Sequence, residues 1–211
     1  EALEGAMVAK MRNMGEACTA ANRFYVHDSL ADAFARGMAD RMAALKMGNG
    51  LDEGVTVGPL VNAATRDKVD ALVRDALAKG AKALTGGAMP DGAGYFYPPT
   101  VLAGVTINAN LVGDEIFGPV AAIQTFSTEE EVIAKANASE YGLASYVFTG
   151  DLARGLRVAE RLESGMVGIN RGIVSDPAAP FGGVKQSGIG REGGREGVME
   201  YLETQYISVH W

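Results

Sequence analysis

Between residues 28 and 46 apolar side chains recur every three or four positions, at Leu30, Phe34, Met38, Met42 and Leu45. Polar residues fill the intervening positions, so the spacing predicts an amphipathic helix, with Asp28 or Ser29 placed to cap its first turn. A second stripe of Val69, Leu72, Val73, Ala76 and Leu77 follows Asn62 and is stopped by Gly80. The run Ser127-Thr128-Glu129-Glu130 signals the start of a third helix. A fourth is capped by Asp151 and carries Leu152, Leu156, Ala159 and Leu162. Runs with β character separate these helices at residues 23–26, 81–84, 100–102, 120–126, 144–148 and 166–169. The alternation predicts an α/β fold, with a mostly parallel open sheet covered by helices on both faces.

The rhythm breaks after residue 171. Residues 172–197 hold eight glycines and two prolines with almost no apolar periodicity, which reads as a long functional loop system. Beyond it, residues 201–210 contain Tyr206, Ile207 and Val209 in a final β-like strand. Such a strand either closes the edge of its own sheet or pairs with another subunit.

Composition narrows the partners. The 211 residues are 47% hydrophobic, enough for a packed core, and carry a formal net charge of −7. That acidic balance repels phosphate backbones and anionic lipid, which argues against nucleic acid and membrane partners. No stretch is long and apolar enough to span a bilayer, and no signal peptide is recognisable. A single cysteine cannot form an internal disulfide, which fits a reducing, cytoplasmic setting. The chain opens mid-pattern at Glu1 without an initiator methionine, as an excised piece of something longer would.

That cysteine, Cys18, lies six residues after Arg12 in a turn bearing Gly15, Ala17 and Ala20. A lone cysteine is often a buried small hydrophobe. Small neighbours also let a substrate carbonyl approach a thiolate, and turn N–H groups can hold a developing oxyanion. The loop Glu115-Ile116-Phe117-Gly118-Pro119 sets a carboxylate and a ring two apart, just before the 120–126 strand. A carboxylate there can accept ribose hydroxyls while the ring packs on a flat heterocycle; a surface Glu and a core Phe fit the same residues. The run from Gly188 to Gly193 matches G-x-G-x-x-G but lacks the strand before it and the βαβ unit after it that a dinucleotide fingerprint needs. The two histidines, His27 and His210, are too far apart in sequence to suggest a metal cluster.

Taken in order, the cysteine segment, the E-I-F-G-P loop, the strand Gly168-Ile169-Asn170 and the run P-F-G-G-V-K-Q-S-G-I-G-R-E resemble the aldehyde dehydrogenase superfamily across nearly the whole chain. Within it the details are similar to the succinate-semialdehyde dehydrogenases, particularly the actinobacterial form. The resemblance implies that residues 1–197 are a catalytic domain, that 198–211 hold an oligomerisation strand, and that the cofactor domain is absent from these residues. It casts Cys18 as nucleophile, Arg12 and Ser175 as ligands of a substrate's distal carboxylate, Glu115 as the nicotinamide-ribose ligand, and Phe117 as the residue positioning the ring. Guanidinium and hydroxyl suit a carboxylate chemically.

Two departures stand out. Many relatives read G-Q-x-C where Glu16 stands here, and a like charge raises a thiol pKa unless it is turned away or paired. Ala20 occupies the position at which some relatives place a second thiol.

The resemblance also implies a cofactor, NADP or NAD with a lean toward NADP, held stably only by the longer protein. It implies a small aldehyde with a distal carboxylate as substrate and a homodimer or homotetramer as the assembly. An upstream asparagine and a general-base glutamate a few dozen residues before the thiol complete the family's mechanism. Only seventeen residues precede Cys18, and Glu4 and Glu16 lie too close to it in sequence to serve. The 211 residues alone are therefore expected to be inactive. A dehydrogenase for a neutral or amino aldehyde, or a non-catalytic assembly module, are the competing expectations.

Overall fold

A computed structural model describes residues 1–211. Four strands form the central sheet: β1 (Arg23–His27), β2 (Lys82–Thr85), β3 (Thr100–Ala103) and β4 (Val120–Phe126), in the order β1-β4-β3-β2. β4 runs parallel to both neighbours, and the short β2 lies antiparallel at one edge. Period-two alternation sends the side chains of β4 to opposite faces. Ala121 and Ile123 join Val101 in a core with Met38 and Met42 of α2 (Asp28–Ala43). Val120 and Ala122 join Leu102 in a second core with Val69, Leu72 and Val73 of α3 (Ala63–Ala78). The expected open sheet with helices on both faces is thus formed.

Three helices lie outside the sequence-based expectation, two of them before residue 114. α1 (Ala2–Met11) packs on α2, and its Ala6 and Ala9 are buried. α4 (Asn110–Gly113) is a single turn ahead of the Glu115 loop. α5 (Glu129–Asn137) and α6 (Leu152–Arg161) begin where expected, with Thr128 and Asp151 each accepting a first-turn N–H. The cap of α2 differs: His27 Nδ1 accepts the Ser29 N–H, and Asp28 is the first helical residue, its carboxylate bonded by the Ser127 hydroxyl.

Smaller ladders hold the glycine-rich region. β5 (Tyr141–Gly142) pairs antiparallel with β8 (Val184–Lys185), and β6 (Ala144–Val147) pairs parallel with β7 (Met166–Ile169). The Gly188–Gly193 run does not open a nucleotide-binding helix. Glu192 and Phe181 exchange backbone hydrogen bonds at 2.6 and 2.7 Å, folding the run back on the P-F-G-G loop, and α7 (Glu196–Met199) is only four residues long.

The expected final strand is not formed within one chain. Residues 203–211 make no backbone hydrogen bond, and all are exposed. A strand needs an edge to bond, and this segment reaches none of the three sheets.

Candidate active site

α1 ends at Met11, and the chain then turns through three left-handed residues, Asn13 (φ 51°), Met14 (φ 56°) and Gly15 (φ 81°). Such conformations are disfavoured for L-residues and persist only where the surroundings impose them. Here the Asn13 side chain donates to the Glu16 carbonyl at 2.7 Å. The Gly15 backbone lies so close to the Gly118 carbonyl that an added Cβ would fall 2.2 Å from its oxygen. The reward for this contorted path is an exposed Cys18 thiol.

Around the thiol, Arg12 Nη2 donates to Thr19 Oγ1 at 3.4 Å, and the Tyr146 hydroxyl donates to the Thr19 carbonyl at 2.9 Å. Burial holds the Tyr146 pKa above the usual phenol value, with Arg12 opposing that rise and Cys18 adding to it, so all three groups share one neighbourhood. No carboxylate of the chain lies within ion-pairing distance of Arg12, which leaves the rest of its guanidinium open. The Cys18 N–H is likewise bonded to nothing, as an oxyanion donor requires. Glu16 is occupied: its Oε1 accepts the Val61 N–H at 3.2 Å.

A second loop interlocks with this turn. Asn22, four residues past Cys18, donates to the carbonyls of Leu111 at 3.1 Å and Asp114 at 3.0 Å, and accepts the Ile116 N–H at 2.8 Å. These bonds fix the E-I-F-G-P loop on the cysteine segment. Glu115 is exposed there, and its carboxylate takes no hydrogen bond; only its main-chain carbonyl is used, by Lys68 at 3.1 Å. Phe117 follows at φ 52°, half-buried. An unbonded carboxylate two residues from a half-covered ring could accept ribose hydroxyls while the ring packs on a flat heterocycle. A cavity of about 230 Å³ adjoins it, lined in part by Ala20, Asn22 and Glu115. A larger one, about 360 Å³, lies under the Phe181–Arg191 loop and contains none of the candidate residues.

Ser175 is exposed and makes no hydrogen bond. Its loop rests on α1, where an added Cβ at Gly172 would meet the Gly5 carbonyl oxygen at 2.1 Å. Gly172, three residues before Ser175, thus packs on the helix that precedes Arg12, and no hydrogen bond joins the Ser175 and Arg12 side chains. Asn170 braces the end of β7 by exchanging two 2.9 Å hydrogen bonds with the Thr149 backbone.

The aldehyde dehydrogenase family profile matches residues 1–207. The chain belongs to the aldehyde dehydrogenase family. It is 61% identical over 209 residues to a succinate-semialdehyde dehydrogenase of Paenarthrobacter nicotinovorans, covering 99% of this chain and 46% of that relative. A glutarate-semialdehyde dehydrogenase of Pseudomonas putida is 49% identical, at 99% and 43% coverage. The crystal structure of a succinate-semialdehyde dehydrogenase from Burkholderia pseudomallei superposes with a TM-score of 0.93 at 48% identity, covering 95% of this chain and 42% of that one. The chain thus spans less than half the length of these aldehyde dehydrogenases. No helix of the chain is long and apolar enough to cross a membrane.

Sequence reasoning passed over Lys10, Thr19, Asn22 and Tyr146. A lysine within the apolar run Ala6-Met7-Val8-Ala9 was the one visible signal for the first. The others show their roles only once distant segments meet.

Proposed function

We propose that this chain is the catalytic part of an NAD(P)-dependent succinate-semialdehyde dehydrogenase. The observation that carries the reading is an exposed Cys18, its N–H free, on a turn whose next residue anchors an otherwise unpaired Arg12. Arg12 grips the distal carboxylate, with the Ser175 hydroxyl as a second donor, and so presents the aldehyde carbon to the thiolate. The sulfur adds to that carbon, and the Cys18 N–H stabilises the oxyanion. Collapse of the oxyanion expels hydride and leaves a thioester on the sulfur. A nicotinamide dinucleotide, when bound, would supply the hydride acceptor. Glu115 and Phe117 would hold its ribose and ring, and similarity to an Escherichia coli succinate-semialdehyde dehydrogenase named for NADP(+) favours NADP. Water then adds to the thioester carbon, the thiolate leaves, and succinate is released. The base that activates this water lies, by family resemblance, further before Cys18 than the seventeen residues present here.

The test compares succinate semialdehyde with butanal in the full-length enzyme. Losing a charged two-point contact costs about 2–3 kcal/mol, so Arg12→Ala is expected to lower kcat/KM for the semialdehyde by about 100-fold. Butanal turnover is expected to stay within about threefold. Equal losses on both substrates would remove Arg12 as the carboxylate ligand. The similarity to a glutarate-semialdehyde dehydrogenase motivates a second reading, a substrate one carbon longer on the same Arg12 and Ser175. A higher kcat/KM for glutarate semialdehyde than for succinate semialdehyde selects that reading.

A further inference from the structure

Thr19, the residue after the thiol, is buried at 6% exposure, and two side chains reach it. Arg12 donates to its hydroxyl at 3.4 Å, and the Tyr146 hydroxyl donates to its carbonyl at 2.9 Å across 127 positions of sequence. That second bond is the only one made by the main chain of Cys18 or Thr19. The flanking residues are anchored by other means. The Ala20 N–H bonds the Ala17 carbonyl at 2.9 Å, the Ala21 carbonyl accepts from Lys10 at 3.0 Å, and Asn22 is tied to the 111–116 segment. The attitude of the thiol-bearing stretch therefore hangs on one phenol.

The phenol itself is firmly seated. Tyr146 lies in β6, in register with Gly168 of β7. A Cβ on Gly168 would fall 3.2 Å from Tyr146 Cδ1 and 3.3 Å from Val174 Cγ1, so the bare glycine leaves room for the ring beside the residue that precedes Ser175. Burial raises the phenol pKa above its ordinary value, so the hydroxyl keeps its proton and stays a donor through the neutral range. Phenylalanine would fill the same place without a buried hydroxyl to satisfy, and packing alone does not call for tyrosine.

We propose that Tyr146 is a positioning residue for the nucleophile, its hydroxyl fixing the Thr19 carbonyl and with it the direction of the Cys18 thiol and N–H. This rests on the reading of Cys18 as nucleophile. The effect falls on the attacking group and not on the substrate's distal carboxylate, which separates Tyr146 from Arg12: loss of the phenol hydroxyl slows every aldehyde alike.

The experiment is Tyr146→Phe in the full-length enzyme, with rates taken per titrated active site and Cys18→Ser alongside. Tyr146→Phe is expected to lower kcat/KM about tenfold for succinate semialdehyde and by the same factor for butanal. The first-turnover burst of reduced dinucleotide slows in proportion, and the dinucleotide dissociation constant stays within about twofold. Wild-type rates per site in a variant that merely melts earlier would reduce Tyr146 to a packing residue and overturn the proposal. A loss confined to succinate semialdehyde overturns it too, by placing the hydroxyl at the distal carboxylate, and so does a Tyr146→Phe chain that fails to fold. If Cys18→Ser still turns over, the nucleophile assignment falls and Tyr146 with it. If Cys18→Ser is dead and Tyr146→Phe is as fast as wild type, Tyr146 alone is refuted.

Discussion

Gly15 combines a backbone angle of +81° with a 2.2 Å approach to the Gly118 oxygen, so alanine there meets strain and collision together. Gly15→Ala is expected to cost about 2–4 kcal/mol, read as a lower urea midpoint. Lys10 makes the stability of the fold depend on pH. Its native pKa of about 7 lies below the 10.5 of an unfolded lysine, so the unfolded chain binds more protons between those values. Stability should rise as pH rises through that window, the cost of the buried charge being felt in full below pH 7. Between pH 7 and 9 the gain is about 2–3 kcal/mol. Denaturation of wild type and Lys10→Met at both pH values checks it, and the mutant should lack this increment. The contrast between Cys18 and Asn22 shows what could be read in the sequence. A unique thiol, an arginine six before it and a carboxylate in a Gly-Pro loop announce themselves by residue type. Asn22 looks like any asparagine until the fold brings Ile116, 94 positions away, to its side-chain oxygen.

At the level of elements, helices with a polar face and strands between turn residues were legible because one side of each meets water. α1 was not, since Ala2–Met11 mixes small and apolar residues around much of the cylinder and shows no clear stripe. The left-handed turn after it also escaped notice, because Met14 carries no signature of φ > 0 and Asn13, a residue type that tolerates it, sits as often in other turns. Between α5 and α6 the contacts are ionic. Glu129 accepts from Arg157 at 2.8 and 2.9 Å, with Arg154 and Arg161 nearby at 3.7 and 3.9 Å. The Arg157 hydrogen bond is the main cause holding the Glu129 pKa below its usual 4.5. A depressed carboxylate stabilises the fold above the unfolded pKa and ceases to do so as pH falls through the folded one. Glu129→Gln should therefore melt below wild type at pH 7, and the gap should close below pH 4.5 and narrow in high salt. Differential scanning calorimetry at the two pH values measures it.

On the scale of the whole molecule, the 211 residues present a thiol, an open guanidinium and an unbonded carboxylate while spanning less than half of their relatives. The isolated chain is expected to be alkylated by iodoacetamide at Cys18 yet to show no steady turnover of succinate semialdehyde with NADP or NAD, followed at the absorbance of the reduced cofactor. Sustained turnover would contradict the division of labour proposed here. The tail adds a second expectation. Tyr206, Ile207 and Val209 are 87%, 71% and 68% exposed, an apolar row without a partner edge. Within these residues the tail closes no sheet edge, and we propose that it pairs with another subunit. Deleting residues 201–211 should shift sedimentation toward the monomer.

Trp211, the only tryptophan, stands wholly in solvent at the last position of that tail. The chain thus carries its own fluorophore at the proposed seam. Red-edge emission that moves toward the blue as protein concentration rises, with no dye attached, would report the docking of one copy on another.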